Sequence, residues 1–149
     1  MKIFWCHPRI RDYRIQFFKR MNSSYVITFF FQQDTEIHHN LNAIISRKNK
    51  VNNQFISLSD ISKMYSGIKR SDIFISSFTD SFFSIIGVHI AKFFGKKTII
   101  WEENFITKSQ MRSFKSLLRR FIMHLCRIKT DAYFIMGQPQ LNALKSFGV

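Results

Sequence analysis

Short β-branched or aromatic runs alternate along this chain with stretches whose apolar residues recur every three or four positions. Lys2 to Cys6, Tyr25 to Phe31, Ile73 to Ser76, Thr98 to Trp101 and Ala132 to Met136 predict strands, and Gln54 to Leu58 predicts a shorter third strand between the second and fourth. Runs that are apolar on both faces suit the middle of a parallel sheet. Tyr13, Phe17, Phe18 and Met21 share helical spacing, with Asp12 placed as N-cap. A second helix, capped by Ser59 or Asp60, is predicted through Ile68, and a third over Phe78 to Phe94 with Asp80 or Ser81 near its start. From Ser109 onward, Phe114, Leu117, Leu118, Phe121, Ile122, Leu125 and Ile128 step by three and four, and a last helix is predicted over Gln138 to Phe147. The polar stretch Gln32 to Asn53 has weak periodicity, and its one predicted element is a short helix around Leu41 to Ile45. Strands alternating with helices predict an α/β chain: a doubly wound, mainly parallel sheet of about six strands with right-handed crossovers, in one domain over 1–149.

The stretch Phe93 to Asn104 carries the most information about a site. Phe93 and Phe94 close an apolar helix, Gly95 suits the positive φ that ends one, and Lys96 and Lys97 suit its carbonyl-rich terminus. Thr98 to Trp101 then runs as a buried strand, so its carboxyl end opens at the edge of the core. Glu102, Glu103 and Asn104 stand there, and in open α/β sheets that edge is where ligands bind. The alternative for the two carboxylates is a solvated loop.

A chain of 149 residues with 46% hydrophobic residues, 18 Phe and two Pro buries a core and is not disordered. The excess of Phe, Ile, Lys and Asn is partly what an AT-rich genome produces, which weakens arguments from their counts. A formal charge of +14 implies attraction to something anionic, whether nucleic acid, phospholipid or a phosphorylated substrate. Cys6 and Cys126 are isolated and read as reduced, buried thiols. Met1 to Cys6 is too short for a signal peptide, and Phe82 to Phe94 too short to span a bilayer, so the expected location is cytoplasmic or at the inner face of the cell membrane.

His7, Arg9, Arg11 and Arg14 fall between the first strand and its helix, where guanidinium groups and a helix N-terminus favour phosphate, although no glycine-rich dinucleotide fingerprint is present. Arg9 and Arg11 also suit solvated surface, and Arg14 the outer face of the helix. Ser76, Ser77 and Asp80 follow the fourth strand, with helix capping the plainer role for Asp80. Lys108, Arg112, Lys115, Arg119, Arg120, Arg127 and Lys129 flank the stripe of the Ser109 helix, and no acidic residue lies between Thr107 and Thr130. Such a helix suits an anionic membrane surface through Arg112, Lys115, Arg119 and Arg120, or is a sheet-covering helix with a charged outer face. His38 and His39 are too small a cluster for a metal, and no cofactor is implied. A nucleic-acid partner is disfavoured, because no helix-turn-helix, RNA-recognition or zinc motif accompanies the charge.

His7-Pro8 before Tyr13-Arg14 and Phe17-Phe18, Ser71-Asp72 through Ser76, Ala91 through Thr98, Trp101-Glu102, and Thr130-Asp131 through Gly137 up to Leu144, Phe147, Gly148 and Val149 follow one another in a familiar order. In that order and spacing the chain resembles the N-terminal, Rossmann-like domain of GT-B glycosyltransferases, in the large family that includes glycogen synthase and many cell-surface polysaccharide enzymes. The resemblance spans nearly the whole chain, though each motif is loose. It implies an acceptor-binding half whose donor-binding partner is a second Rossmann-like domain, on this or a separate chain. The last helix closes at Gly148-Val149, where a second domain is expected to follow. That family's E-x7-E signature has no counterpart, since Glu36, Glu102 and Glu103 have no glutamate eight positions on. The resemblance therefore implies a chain inactive alone, with a glycan or lipid-linked acceptor contacting His7, Arg9, Tyr13, Arg14, Ser76, Ser77 and Asn104. Glu102 or Glu103 as catalytic base suits an inverting enzyme. The other classes left open are a nucleic-acid-binding module and a non-catalytic scaffold at the membrane.

Overall fold

The computed structural model describes residues 1–7, 14–31, 41–46, 56–77, 82–102, 121 and 124–146. In chain order these form β1 (Lys2–His7), α1 (Ile15–Ser24), β2 (Val26–Phe31), β3 (Ala43–Ile45), α2 (Leu58–Lys69), β4 (Ile73–Ser77), α3 (Phe82–Phe93), β5 (Lys97–Glu102), β6 (Ala132–Ile135) and α4 (Gln138–Ser146). The strands make one six-stranded sheet in the order β3-β2-β1-β4-β5-β6, and every pairing is parallel. This is the Rossmann-like, doubly wound order. The chain moves outward one way from β1 and the other way from β4, so the strand order reverses between those two neighbours.

Alternation along the strands sorts the core into two layers. Phe4, Cys6, Phe30, Phe74 and Ile100 face Met64 and Ile68 of α2, Phe83, Val88 and Ala91 of α3, and Cys126 of the helical turn at 124–127. Ile3, Trp5, Ile27, Phe29, Phe31, Ile75 and Trp101 face the other way, with Phe18, Ile15 and Met21 of α1 against them. Trp5 is the hub of the second layer, with ring centroids 5.2 Å from Phe18 and 5.1 Å from Trp101. In the first layer the helices approach closely because two glycines allow it. A Cβ on Gly67 would lie 2.0 Å from the Phe4 ring, and one on Gly87 2.1 Å from the Phe74 ring.

Of the expected third strand, Gln54 and Phe55 lie outside the described residues, and Ile56 to Leu58 form no strand. The third strand of the described sheet is Ala43–Ile45, inside the stretch expected to hold a short helix, and it pairs with Phe29 to Phe31. Three residues are too few to nucleate a helix, while the open edge of β2 offers them a hydrogen-bonded place. Leu58 instead begins α2 and is exposed. Neither Ser59 nor Asp60 is the cap of α2. Ser57 is the N-cap, its hydroxyl accepting from the Asp60 N–H at 3.1 Å while Asp60 Oδ2 accepts from the Ser57 N–H at 3.3 Å. The same carboxylate oxygen accepts from the Ser46 hydroxyl at 2.9 Å, which fastens the end of β3 to α2. Helix α1 begins at Ile15 with Arg14 in the cap position and no side-chain cap, and Asp12, expected there, lies outside the described residues.

Asp131 joins three elements just before β6. Its Oδ2 accepts from the Thr98 N–H at 2.7 Å, the Thr98 hydroxyl at 2.9 Å and Lys92 Nζ at 2.6 Å. The Lys92 hydrogen bond, with help from Thr98, holds the carboxyl down at about 2. A carboxylate depressed in the folded state adds stability above its unfolded pKa of about 3.9, and that contribution is lost as pH falls through the folded value.

Two outcomes follow from this packing. Gly67→Ala is expected to lower stability by about 1–3 kcal/mol in denaturant unfolding, because overpacking against Phe4 outweighs the gain in helix propensity of about 1 kcal/mol. Asp131→Asn is expected to flatten the loss of stability between about pH 4 and pH 2. A parent and variant with the same acid dependence would show that Asp131 adds nothing.

Candidate functional site

Strand order reverses between β1 and β4, with β5 next in the sheet, and in open α/β sheets the carboxyl ends of the strands at such a reversal are where a ligand crevice forms. Three buried polar residues end these adjacent strands: His7 on β1, Ser77 on β4 and Glu102 on β5, at 3%, 2% and 2% exposure. Burial of the preceding residues Cys6, Ser76 and Trp101 and the pairing of the strands fix each in place, since Cys6 pairs with Ser76 and Ser77 with Trp101. One step beyond the first of these pairings, His7 and Ser77 end neighbouring strands.

The faces differ. His7 continues the Ile3 and Trp5 face, and its ring meets Phe18 of α1 edge-on at 5.4 Å. Its Nε2 lies 3.4 Å from Arg14 Nη1, a long contact that brings the guanidinium from the start of α1 to the end of β1. Ser77 belongs by alternation to this same face, and its buried hydroxyl has no hydrogen-bond partner among the described residues. Buried polar atoms are nearly always satisfied, which sets this hydroxyl apart from that of Ser76. Beside it, Trp5, Phe17, Met21, Ile75, Ile99, Trp101 and Phe134 line a wholly apolar cavity of about 220 Å³.

Ser76 and Glu102 point to the opposite face. The Ser76 hydroxyl is 2.6 Å from that of Ser84, so it ties β4 to α3 and is occupied structurally. Glu102 follows the Ile100 face, where its charge reaches Tyr133 of β6. Burial above all, with the Glu102 charge adding to it, pushes the Tyr133 phenol up to about 12. Tyr133 and Ser84 had no signal in the linear sequence, since each is brought to the site only by strand pairing or helix packing. Cys6 lies on this face too, and burial raises its thiol well above the ordinary range, which leaves it protonated and unsuited to nucleophilic work.

The crevice thus brings together His7, Arg14 and Ser77 on the α1 side and places Ser76 and Glu102 on the α3 side. Arg9, Tyr13, Glu103 and Asn104 lie outside the described residues, as do Arg112, Lys115, Arg119 and Arg120. Among the described residues no group of three or more His, Cys, Asp or Glu side chains is placed to hold a metal ion. No helix among them is long and apolar enough to cross a membrane.

No family model and no curated protein matches the chain. Solved structures do. A wide-type short-chain dehydrogenase/reductase from Veillonella parvula, solved in complex with NADP, superposes with a TM-score of 0.55 at 8% identity, over 90% of this chain and 67% of its own. A proposed UDP-N-acetylglucosamine 2-epimerase from Listeria monocytogenes superposes with a TM-score of 0.58 at 13% identity, over 97% of this chain. The chain spans 41% of the length of that epimerase. At these identities the likeness is one of fold.

The two serines at the end of β4 are expected to respond differently to truncation. Ser76→Ala removes a partner of Ser84 and should cost about 1 kcal/mol in thermal or denaturant unfolding. Ser77→Ala removes a hydroxyl that makes no hydrogen bond among the described residues and should leave stability unchanged. Equal losses would show that Ser77 is structural too.

Proposed function

We propose that this domain binds the acceptor in a glycosyl transfer, as the acceptor side of a two-domain glycosyltransferase whose other domain binds the nucleotide-sugar. The observation that carries this is the row of buried polar ends, His7, Ser77 and Glu102, on three adjacent strands at the point where strand order reverses. A sugar hydroxyl both donates and accepts, which suits imidazole and hydroxyl groups on one face of the strand ends and a carboxylate on the other. The fold shared with a protein named for a UDP-sugar substrate is in keeping with it.

In this reading a carboxylate, Glu102 or its neighbour Glu103, takes the proton of the acceptor hydroxyl as that oxygen attacks the anomeric carbon, and the nucleotide diphosphate leaves. His7, with Arg14 against it, and Ser77 orient the acceptor. The apolar cavity beside Ser77 favours an acceptor carried on a lipid, such as serves glycolipid or cell-surface polysaccharide synthesis. The charge of +14, with Arg112, Lys115, Arg119 and Arg120 among its sources, supports work at an anionic membrane surface.

Calorimetric titration with UDP-, GDP- and ADP-sugars tests the division of labour. Acceptor-side function leaves these donors without measurable affinity for this chain, and the chain alone transfers no sugar. Tight stoichiometric binding of any of them would contradict it.

A further inference from the structure

The two faces of the sheet are covered unequally among the described residues. Helices α2 and α3 and the helical turn at 124–127 pack on one face, whereas the apolar layer of the other draws its helical residues from α1 only. Helix α1 covers β1 and β2 through Phe18, whose ring lies 5.2 Å from Trp5 and 5.3 Å from Phe29. Towards β5 its contact is the Phe17 ring, 5.2 Å from Trp101, and the apolar cavity of about 220 Å³ lies there.

The sheet forms the floor of this cavity. Trp5, Ile75 and Ile99 stand in register across β1, β4 and β5, and Trp101 with its β6 partner Phe134 comes one pleat further on. Phe17 and Met21, one helical turn apart, are the wall given by α1. Phe17 and Phe134 are 40% and 54% exposed, so they mark the open side. An apolar cavity of about 150 Å³ stays dry and admits a six-carbon ring, so this one has room for about eight carbons.

Charge gives the occupant a head group. The chain leaves β1 at its carboxyl end, so α1 starts there, and Arg14, Phe17 and Met21 follow one another at helical spacing along it. Arg14 therefore stands at the carboxyl end of the stripe that lines the cavity. None of the lining residues is acidic, and Glu102 turns to the opposite face. A guanidinium at the end of an apolar slot, in a chain of charge +14, suits a phosphate carried on a hydrocarbon chain.

We propose that the cavity holds the hydrocarbon chain of a single-chain lipid phosphate, with its last carbons towards Met21 and its phosphate towards Arg14. This deepens the acceptor reading and rests on it only for what the lipid carries.

Octyl phosphate is the probe, titrated into the full chain below the concentration at which it forms micelles. The two tryptophans of the chain, Trp5 and Trp101, both line the cavity, so intrinsic fluorescence reads its occupation. A saturable change is expected. Hexyl phosphate should bind about sixteenfold more weakly, at about fourfold per buried methylene, and octanol about tenfold more weakly for want of the charge. Arg14→Gln should bring octyl phosphate down to the affinity of octanol. Phe134→Ala should weaken binding about fivefold, while Phe93→Ala, at an exposed position on α3, should not change it. Should a variant fail to fold, the chain-length series on the parent decides.

No saturable response, an affinity indifferent to chain length, octanol binding as well as octyl phosphate, or binding to anionic vesicles without any response to the monomeric lipid would overturn the proposal. Free oligosaccharide that shifts Ser77 while octyl phosphate has no effect would remove this proposal and leave the acceptor reading standing. Octyl phosphate binding with no response to any glycan would uphold this site and remove the acceptor reading alone.

Discussion

Strand β1 is buried from both sides, and the rest of the molecule is arranged to keep it so. Ile3, Phe4, Trp5, Cys6 and His7 are all at most 4% exposed. With β2 on one edge and β4 on the other, its backbone groups are paired along its length. Fully burying a large apolar side chain contributes about 1.5–3 kcal/mol, so this one strand demands a helical layer on each face. Helix α1 meets Trp5 through Phe18, and α2 meets Phe4 so closely that residue 67 has to be glycine. The chain then has to leave β1 at His7, at the point where strand order reverses. The polar residues that end these strands are held by buried neighbours one position earlier, Cys6, Ser76 and Trp101.

This explains why the strands were legible in sequence and parts of the site were not. Parallel strands buried on both faces read as continuous apolar runs, so β1, β2, β4 and β5 announce themselves, and β6, though a partly exposed edge strand, carries an apolar run of its own. Ala43–Ile45 does not, because three residues carry no period and the strand exists only where β2 offers an edge. The capping box of α2 was misplaced because Asp60 does two jobs at once, at the third helical position and on Ser46, and only the fold shows that Ser57 answers it. The strand pattern placed His7, Ser76, Ser77 and Glu102 at the carboxyl ends of their strands, and the structure has them at those ends. Their division between two faces did not follow from it. In a strand, one residue of register turns a side chain through the sheet, so Ser76 belongs to α3 and Ser77 to the α1 side. Tyr133 reaches the surroundings of Glu102 from a strand some thirty residues later, a proximity that strand pairing alone creates.

The charge of the chain acquires a distribution in the structure. Lys92 is committed to Asp131, and Arg14 to the neighbourhood of His7. Lys63 is tied to the Ile45 carbonyl at the end of β3, while Lys2 and Arg70 stand at the amino end of the sheet. The two ends of the sheet thus present different chemistry: mixed hydrogen-bonding groups beside an apolar cavity at the carboxyl end, and cations with hydroxyls at the amino end.

The central claim is that the carboxyl ends of β1, β4 and β5 form the acceptor site. Residue-resolved amide NMR of the isotopically labelled chain, titrated with free oligosaccharides and short-chain lipid-linked glycans, tests it most directly. The expected result is a set of shifts concentrated at His7, Ser76, Ser77 and Glu102 that disappears in Ser77→Ala without loss of fold. Glycan-induced shifts confined to the amino edge of the sheet, or a full response in Ser77→Ala, would contradict it.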